Sequence, residues 1–151
     1  MKRMMVVVLF LSMLWSTGVK EVSAAGQTWA VIDADTGRLL EGHNENVRLP
    51  IASLTKIWTA FTFLESGATD EDILISPQAA SAEGSSIYLK QGMSIDSEAL
   101  LYGLMLRSGN DAAYALSEHA GGSMEGFVDL MNEKAIVYGL ENTYFPSHRR
   151  S

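Results

Sequence analysis

The 151-residue sequence predicts a fold of strands and helices in which one β-hairpin precedes a series of helices. Two patterns carry this prediction. Residues 28–41 are rich in strand formers on both sides of the turn Ala34-Asp35-Thr36-Gly37. From Ser53 onward, apolar residues recur at the three- and four-residue spacing of a helix face. We therefore expect one modest domain of mixed secondary structure with a hydrophobic core.

The hairpin and the first helix follow one another along the chain. Strands are expected over Thr28 to Asp33 and over Arg38 to Glu41, and a polar loop then runs to Pro50. The helix begins near Ser53 and ends near Gly67. Its apolar stripe, which we expect to be buried, consists of Leu54, Ile57, Trp58, Phe61 and Leu64, whereas Thr55, Thr59 and Thr62 lie off it.

In the middle of the chain, capping and helix-breaking residues predict where the elements begin and end. The acidic segment Asp70-Glu71-Asp72 is expected to be a solvated loop, and a helix starts at Ser76-Pro77. Ile87-Tyr88-Leu89 is expected to be a short extended segment. Asp96 is the predicted N-cap of the next long helix, which Gly109 ends.

The last two predicted helices are separated by Gly121-Gly122. The first covers Ala112 to His119. Its successor is capped by Ser123 and ends near Gly139. The chain contains no internal repeat and no low-complexity linker.

The first 24 residues are typical of an export signal. Lys2 and Arg3 precede the mostly apolar run Met4 to Trp15, and small residues lead to a cleavage position after Ala24. A helix over that run covers about 18 Å, less than the roughly 30 Å hydrocarbon core of a bilayer, and an uncleaved anchor is the alternative. We therefore expect a signal peptide over 1–24, a domain over 25–145, a basic tail over 146–151, an exported, extracytoplasmic location and no membrane anchor beyond the signal segment.

Composition excludes several classes of function. The formal net charge of −7 argues against binding to nucleic acid or to anionic lipid. The absence of cysteine excludes disulfides, thiol nucleophiles and thiolate metal sites. The three histidines, His43, His119 and His148, form no metal-ligand pattern and disfavour a Ser-His-Asp triad. We expect neither a metal nor another cofactor.

Ser53 and Lys56 form the first pair with catalytic potential. They are three residues apart at the first turn of the apolar helix, so their side chains share a face. A lysine among apolar neighbours has its charged form disfavoured and can act as the base for a serine at a helix N-terminus. The alternative is a capping serine followed by a surface lysine, because Ser-x-x-Lys is a loose pattern.

Ser108 and Asn110 form the second pair, in the break between two helices. A serine hydroxyl there can relay a proton, and an asparagine amide can hold a substrate carbonyl or orient the lysine. The alternative interpretation is a helix stop followed by an N-cap.

The two pairs together, with their neighbouring residues, resemble the D-alanyl-D-alanine carboxypeptidases among the low-molecular-mass penicillin-binding proteins. The similar segments are Asp33-Ala34-Asp35-Thr36-Gly37, Ala52-Ser53-Leu54-Thr55-Lys56-Ile57, Gly84-Ser85-Ser86-Ile87-Tyr88-Leu89, Ser108-Gly109-Asn110-Asp111-Ala112-Ala113, Phe127-Val128 with Asn132-Glu133-Lys134, and Gly139-Leu140-Glu141-Asn142-Thr143. The resemblance extends from about Thr28 to Phe145.

The resemblance implies an α+β transpeptidase-type fold with helices packed on an antiparallel sheet. It also implies that Ser53 is the nucleophile, Lys56 its general base, Ser108 a proton relay and Asn110 a substrate-binding residue. The expected partner is a peptidoglycan stem peptide ending in D-Ala-D-Ala, which is cleaved through an acyl-enzyme, and β-lactams are expected to acylate the same serine.

The third motif of that family, Lys-Thr-Gly on a sheet strand, does not occur in the sequence. The change to the basic tail Pro146 to Ser151 suggests a frameshift or a truncated gene copy, without the C-terminal sheet strands of the family. We therefore expect impaired activity or none, because in this family the third motif binds the substrate carboxylate and its strand supplies an oxyanion donor. The alternatives are a serine β-lactamase and a non-catalytic remnant or cell-wall-binding fragment.

Overall fold

The computed structural model describes residues 28–146. These residues form two compact units that divide between Leu49 and Pro50. The predicted signal peptide, His148 and nearly all of the predicted basic tail lie outside the described residues. Each unit is described in turn.

The first unit is the predicted hairpin. Strands β1 (Trp29–Ile32) and β2 (Leu39–His43) pair antiparallel, with an irregularity between Val31 and Ile32. The turn is closed by the Asp33 carboxylate, which accepts hydrogen bonds from the Thr36 backbone N–H at 2.9 Å and from its hydroxyl at 2.6 Å. These bonds from Thr36 lower the pKa of Asp33. The sequence prediction of two strands around residues 34–37 is confirmed.

The second unit contains five helices and one small sheet. A 3₁₀ turn, Ala52–Leu54, leads into α1 (Thr55–Ser66). The remaining elements are β3 (Asp72–Leu74), α2 (Pro77–Ala80), β4 (Ser94–Asp96), α3 (Ser97–Arg107), α4 (Asn110–Gly121) and α5 (Met124–Val137). Strands β3 and β4 pair antiparallel with Ile73 opposite Ile95. Of the helices in the described part of the chain, none has the length and apolar character needed to cross a membrane.

The helix ends follow the predicted caps. The side chain of Ser76 accepts from the Ala79 N–H, and that of Ser123 accepts from the Gly126 N–H, both at 3.0 Å. Asp96 caps α3 by accepting from the first N–H groups of the helix. Left-handed glycines end α1 and α4, as the sequence predicts.

Helix α4 lies at the centre of the second unit, where it packs against α1, α2, α3 and α5. Its buried residues are Asp111 at the start of the helix, one leucine, Leu116, and the small residues Ala112, Ala115 and Ser117, which let the neighbouring helices approach closely. The core around it consists of Ala60, Phe63, Ile73, Ile75, Ala79, Leu89, Leu100, Leu104, Ala112, Ala115, Leu116, Phe127 and Met131.

The buried face of α1 differs from the prediction. The fully buried residues are Thr59, Ala60, Thr62 and Phe63, whereas Leu54, Ile57 and Leu64 of the predicted stripe have more than half of their surface exposed. The prediction that the whole stripe is buried was therefore wrong. On this face Thr59 donates its hydroxyl to the Thr55 carbonyl at 3.1 Å within the helix, whereas the buried Thr62 hydroxyl has no hydrogen-bond partner among the described residues.

The middle of the stripe packs against the C-terminal part of α5. Trp58 and Phe61 stack with ring centroids 5.0 Å apart, and Tyr138, which caps the end of α5, meets Phe61 edge-on at 5.0 Å. The Trp58 indole N–H donates to the Met131 carbonyl at 3.1 Å. The periodicity identified the helix but not its buried face, which combines Phe63 with the small residues Thr59, Ala60 and Thr62.

Three local predictions in the second unit were also wrong. Ile87-Tyr88-Leu89 is not extended, because Tyr88 has a φ of 63°. Helix α3 is ended by Ser108 in the left-handed conformation, and Gly109 instead precedes α4. The acidic segment is not all loop, since Asp72 begins β3, which the sequence analysis missed together with β4.

We expect Leu116→Ala to lower the free energy of unfolding of the chain by about 2–5 kcal/mol, because Leu116 is fully buried on α4 and its truncation leaves a cavity. Leu106→Ala is the matched control, since Leu106 is 75% exposed and its truncation should cost about 0.5 kcal/mol or less. Urea unfolding followed by circular dichroism measures both. Equal losses in the two variants would contradict the central place of α4.

Candidate active site

The predicted nucleophile lies at the entry to α1. Ser53 is the middle residue of the 3₁₀ turn Ala52–Leu54, which continues directly into the helix. Its side chain is exposed, and no described residue hydrogen-bonds its hydroxyl. The residue before it, Ala52, has a φ of 46°, an unusual conformation for a non-glycine residue. The chain thus reaches Ser53 through a sharp bend, which leaves the hydroxyl accessible at a helix N-terminus.

Lys56 connects this turn to the break between α3 and α4. Its ammonium group lies 2.7 Å from the Ser108 hydroxyl oxygen and also donates to the Ser108 carbonyl oxygen. The side chain is half-buried, and burial lowers the pKa of Lys56, while the negative charge of Asp111 opposes that shift. Residues that are far apart in the sequence are thereby joined in one site.

The position of Ser108 depends on how α3 ends. Ser108 has a φ of 56°, and the next N–H, that of Gly109, donates to the Gly103 carbonyl at 3.1 Å. Gly103 itself permits a close contact, since a Cβ there would lie 2.5 Å from Cδ1 of Ile87. The left-handed cap turns the chain so that the carbonyl and hydroxyl of Ser108 both face the Lys56 ammonium.

Asn110 lies two residues after Ser108, and its hydrogen bonds go to a different segment of the chain. It begins α4, and its backbone N–H donates to the Ser85 carbonyl at 2.7 Å, while its side-chain amide donates to the Glu83 carbonyl at 2.5 Å. Within residues 28–146 it makes no hydrogen bond to Lys56. Asn110 therefore holds the segment of residues 83–89, here called the site loop, against the start of α4. Its predicted role in binding substrate stays a prediction.

Sequence analysis missed the importance of Asp111. Its side chain is 1% exposed and accepts hydrogen bonds from the Ser86 hydroxyl at 2.6 Å and from the Leu89 N–H at 3.0 Å. Burial acts to raise the pKa of Asp111, but these bonds, together with those from Ile87 and Ala112, outweigh it and lower the pKa. In the sequence, the feature that could have indicated its burial was a carboxylate at the start of a helix followed by two alanines, Ala112 and Ala113.

His119, the histidine of the second unit that the structure describes, takes no part in this cluster. His119 pairs with Glu71 at 3.1 Å, near the other end of α4 from Asn110, and His43 contacts Asn44 in the hairpin. A cavity of about 1190 Å³ is lined by His119 and Glu118 among others, and none of the four predicted site residues lines it. The chemistry predicted from the sequence therefore depends on the Lys56–Ser108 contact and on Ser53 at the start of the same helix.

Comparison with known proteins decides the family. A family model described as D-alanyl-D-alanine carboxypeptidase matches residues 16–148. The chain belongs to this carboxypeptidase family. It is 39% identical over 132 residues to the D-alanyl-D-alanine carboxypeptidase DacF of Bacillus subtilis, covering 83% of this chain and 33% of that protein. It is 34% identical over 139 residues to the D-alanyl-D-alanine carboxypeptidase DacA of Escherichia coli, covering 85% of this chain and 34% of that protein.

Solved structures of the carboxypeptidase family share the fold. The D-alanyl-D-alanine carboxypeptidase DacD of Francisella tularensis matches with a TM-score of 0.74 and 36% identity, over 83% of this chain and 32% of that chain. Penicillin binding protein 5 of Haemophilus influenzae matches with a TM-score of 0.73 and 31% identity, over 80% of this chain and 38% of that chain. The predicted α+β penicillin-binding fold is thus confirmed, and the chain spans about a third of the length of the curated relatives it matches.

We expect Gly84→Ala to destabilise the site loop more than Gly92→Ala does. Both glycines have positive φ, 92° and 81°, so either substitution should cost about 1–2 kcal/mol of backbone strain. A Cβ at Gly84 would lie 2.7 Å from the Asn110 side-chain nitrogen, whereas one at Gly92 meets nothing within 4 Å. Urea unfolding of the two variants measures the difference. Equal losses of unfolding free energy in the two variants would mean that the hydrogen bond from the Asn110 side chain to the Glu83 carbonyl contributes nothing to stability.

Proposed function

We propose that the site is the serine–lysine half of a D-Ala-D-Ala carboxypeptidase active site, with Ser53 as nucleophile and Lys56 as general base. The observation that supports this most is the 2.7 Å contact between the Lys56 ammonium and the Ser108 hydroxyl. It joins two sequence motifs that each have an ordinary structural explanation on their own. Membership of the carboxypeptidase family supplies the reaction class.

The proposed reaction begins with a neutral Lys56, whose lowered pKa raises the uncharged fraction at a given pH. Lys56 takes the hydroxyl proton of Ser53 as its oxygen attacks the carbonyl carbon of the D-Ala–D-Ala bond. Ser108 passes the proton from Lys56 to the departing nitrogen, so the C–N bond breaks and D-alanine leaves. Water then attacks the resulting ester, gives up a proton through the same lysine and restores Ser53.

Asn110 is proposed to position the substrate. Its side-chain nitrogen is bound to the Glu83 carbonyl, but no described residue donates to its side-chain oxygen. That oxygen can accept a hydrogen bond from a substrate N–H or from a protonated Lys56. The proposed substrate is a peptidoglycan stem peptide ending in D-Ala-D-Ala, and the proposed inhibitors are β-lactams, which react with Ser53. The predicted signal peptide supports an extracytoplasmic location.

We further propose that the 151-residue polypeptide on its own turns over stem peptides slowly or not at all. It contains no Lys-Thr-Gly sequence, which in this family binds the substrate carboxylate and lies on the strand that provides an oxyanion donor. Loss of one oxyanion donor alone reduces a rate by about 10²–10³. Acylation by a strained β-lactam is less demanding than complete turnover, so the two activities are expected to separate.

Intact-mass analysis after incubation with a penicillin should show a slowly formed covalent adduct of one penicillin molecule per chain. Ser53→Ala should form none, because the nucleophile is gone, and it should otherwise unfold like the original chain since Ser53 is exposed. The absence of an adduct on a chain with native circular dichroism would contradict the assignment of Ser53 and Lys56. Rapid turnover of a chromogenic cephalosporin would instead favour the β-lactamase alternative.

Release of D-alanine from a diacetyl-lysyl-D-alanyl-D-alanine mimic should not exceed that of the Ser53→Ala control. The physical reason is the missing oxyanion and carboxylate partners described above. A coupled D-alanine assay measures the rate. Rapid release that is abolished by Ser53→Ala would overturn the proposal of impaired activity while supporting the proposed nucleophile.

A further inference from the structure

The carboxylate of Asp111 is the most heavily bonded side chain near the site. Its two oxygens accept from the Ser86 hydroxyl at 2.6 Å, from the Ile87 N–H at 3.1 Å and from the Leu89 N–H at 3.0 Å. The group lies on the first turn of α4, directly after Asn110. One buried side chain thus binds three successive parts of the site loop.

The bonded loop is strained at the residue between the two bound N–H groups. Tyr88 has a φ of 63°, and its side chain is 85% exposed. An aromatic residue rarely adopts this conformation, which persists only where the surroundings impose it. Here the constraint comes from Asp111, because Ile87 and Leu89 on either side of Tyr88 donate to the same carboxylate.

The hydrogen bonds to Asp111 stabilise its charge, but none of them comes from a positively charged side chain. Its described donors are a hydroxyl and backbone N–H groups, and it forms no ion pair with a described residue. The carboxylate lies beside the residue that follows Ser108, since a Cβ on Gly109 would be 2.9 Å from Oδ1 of Asp111, and the Lys56 ammonium bonds to Ser108 itself. The negative charge of Asp111 acts to raise the pKa of Lys56. The other charged contact of α1 is the Lys134–Glu65 pair, which lies at the far end of the helix, about 14 Å along its axis from Lys56.

We propose that Asp111 is a positioning residue for the serine–lysine site, which fixes the site loop onto the first turn of α4 and balances the ammonium charge of Lys56. The inference rests on the proposed function. Holding the loop keeps Glu83 and Ser85 in place for Asn110, so the bonds of Asp111 and Asn110 reinforce each other. Its charge keeps Lys56 from losing its proton too readily, so the lysine can accept the proton of Ser53 and hold it until transfer.

Asp111→Asn is the direct test, because the amide keeps the shape of the side chain but removes the charge and one acceptor. We expect hydrogen exchange at the Ile87 and Leu89 amides to accelerate about 10- to 100-fold, as for the loss of a hydrogen bond to a charged group. We also expect the titration of Lys56, followed by NMR in a chain with ¹³C-labelled lysine, to move to lower pH. Comparison with Lys56→Arg assigns the Lys56 signal among the five lysines.

Ser86→Ala is the matched control. It removes one donor to Asp111 but leaves the charge, so exchange at Ile87 and Leu89 should accelerate while the Lys56 titration stays where it is. If the role of Asp111 were purely structural, hydrogen exchange would be faster in both variants and the Lys56 titration would move in neither. That result, or a shift of the titration to higher pH in Asp111→Asn, would overturn the proposal.

Acylation by penicillin provides the functional readout. The rising limb of the acylation rate against pH should move to lower pH in Asp111→Asn and stay unchanged in Ser86→Ala. If the original chain forms no adduct, the proposed function fails, but the exchange and titration experiments still decide the role of Asp111. If Asp111→Asn does not fold, hydrogen exchange in the original chain tests whether Asp111 holds the site loop. The Ile87 and Leu89 amides must then exchange more slowly than the other amides of the site loop. Fast exchange at these two amides would overturn the proposal.

Discussion

The structure around the candidate site depends on the burial of one carboxylate. Asp111 could not remain ionised in the core without its donors, and those donors belong to the site loop rather than to its own helix, apart from the neighbouring Ala112 N–H. The loop therefore has to fold back onto α4. Once it does so, Glu83 and Ser85 meet Asn110, and the α3–α4 junction is covered on that side.

The second requirement is the exact shape of that junction. Helix α3 ends in a left-handed serine, where a glycine costs less. The serine side chain is what Lys56 contacts, so a residue that is unfavourable for ending the helix is suited to the chemistry. Ala52 before Ser53 and Tyr88 in the site loop also have positive φ, 46° and 63°. The three strained non-glycine residues of this region all lie on segments that build the site.

The charge balance at Lys56 follows from these same contacts. Burial disfavours the ammonium form and lowers the pKa of Lys56, whereas the carboxylate of Asp111 acts to raise it. This is the condition that a base needs if it is to take a proton and later return it. The electrostatics therefore belong to the tertiary structure, since Lys56 and Asp111 lie on different helices.

Local chemistry in the sequence determined the hairpin, the helix caps at Ser76, Asp96 and Ser123, and the glycines that end α1 and α4, because each depends on residues only a few positions apart. The position of Ser53 and Lys56 one turn apart at a helix start was predictable for the same reason. The family motifs also indicated that Ser108 and Asn110 belong with them, although not what either one contacts.

Only the tertiary structure decided which face of α1 is buried, since the face with Thr59, Thr62 and Phe63 is buried while the leucines of the stripe remain exposed. It also revealed β3 and β4, which are too short to show an alternating pattern. The role of Asp111 could not be seen in the sequence, because a carboxylate at a helix start is ordinarily a favourable surface residue. Burial against a distant loop makes it an organising group, and burial is a property of the assembled fold.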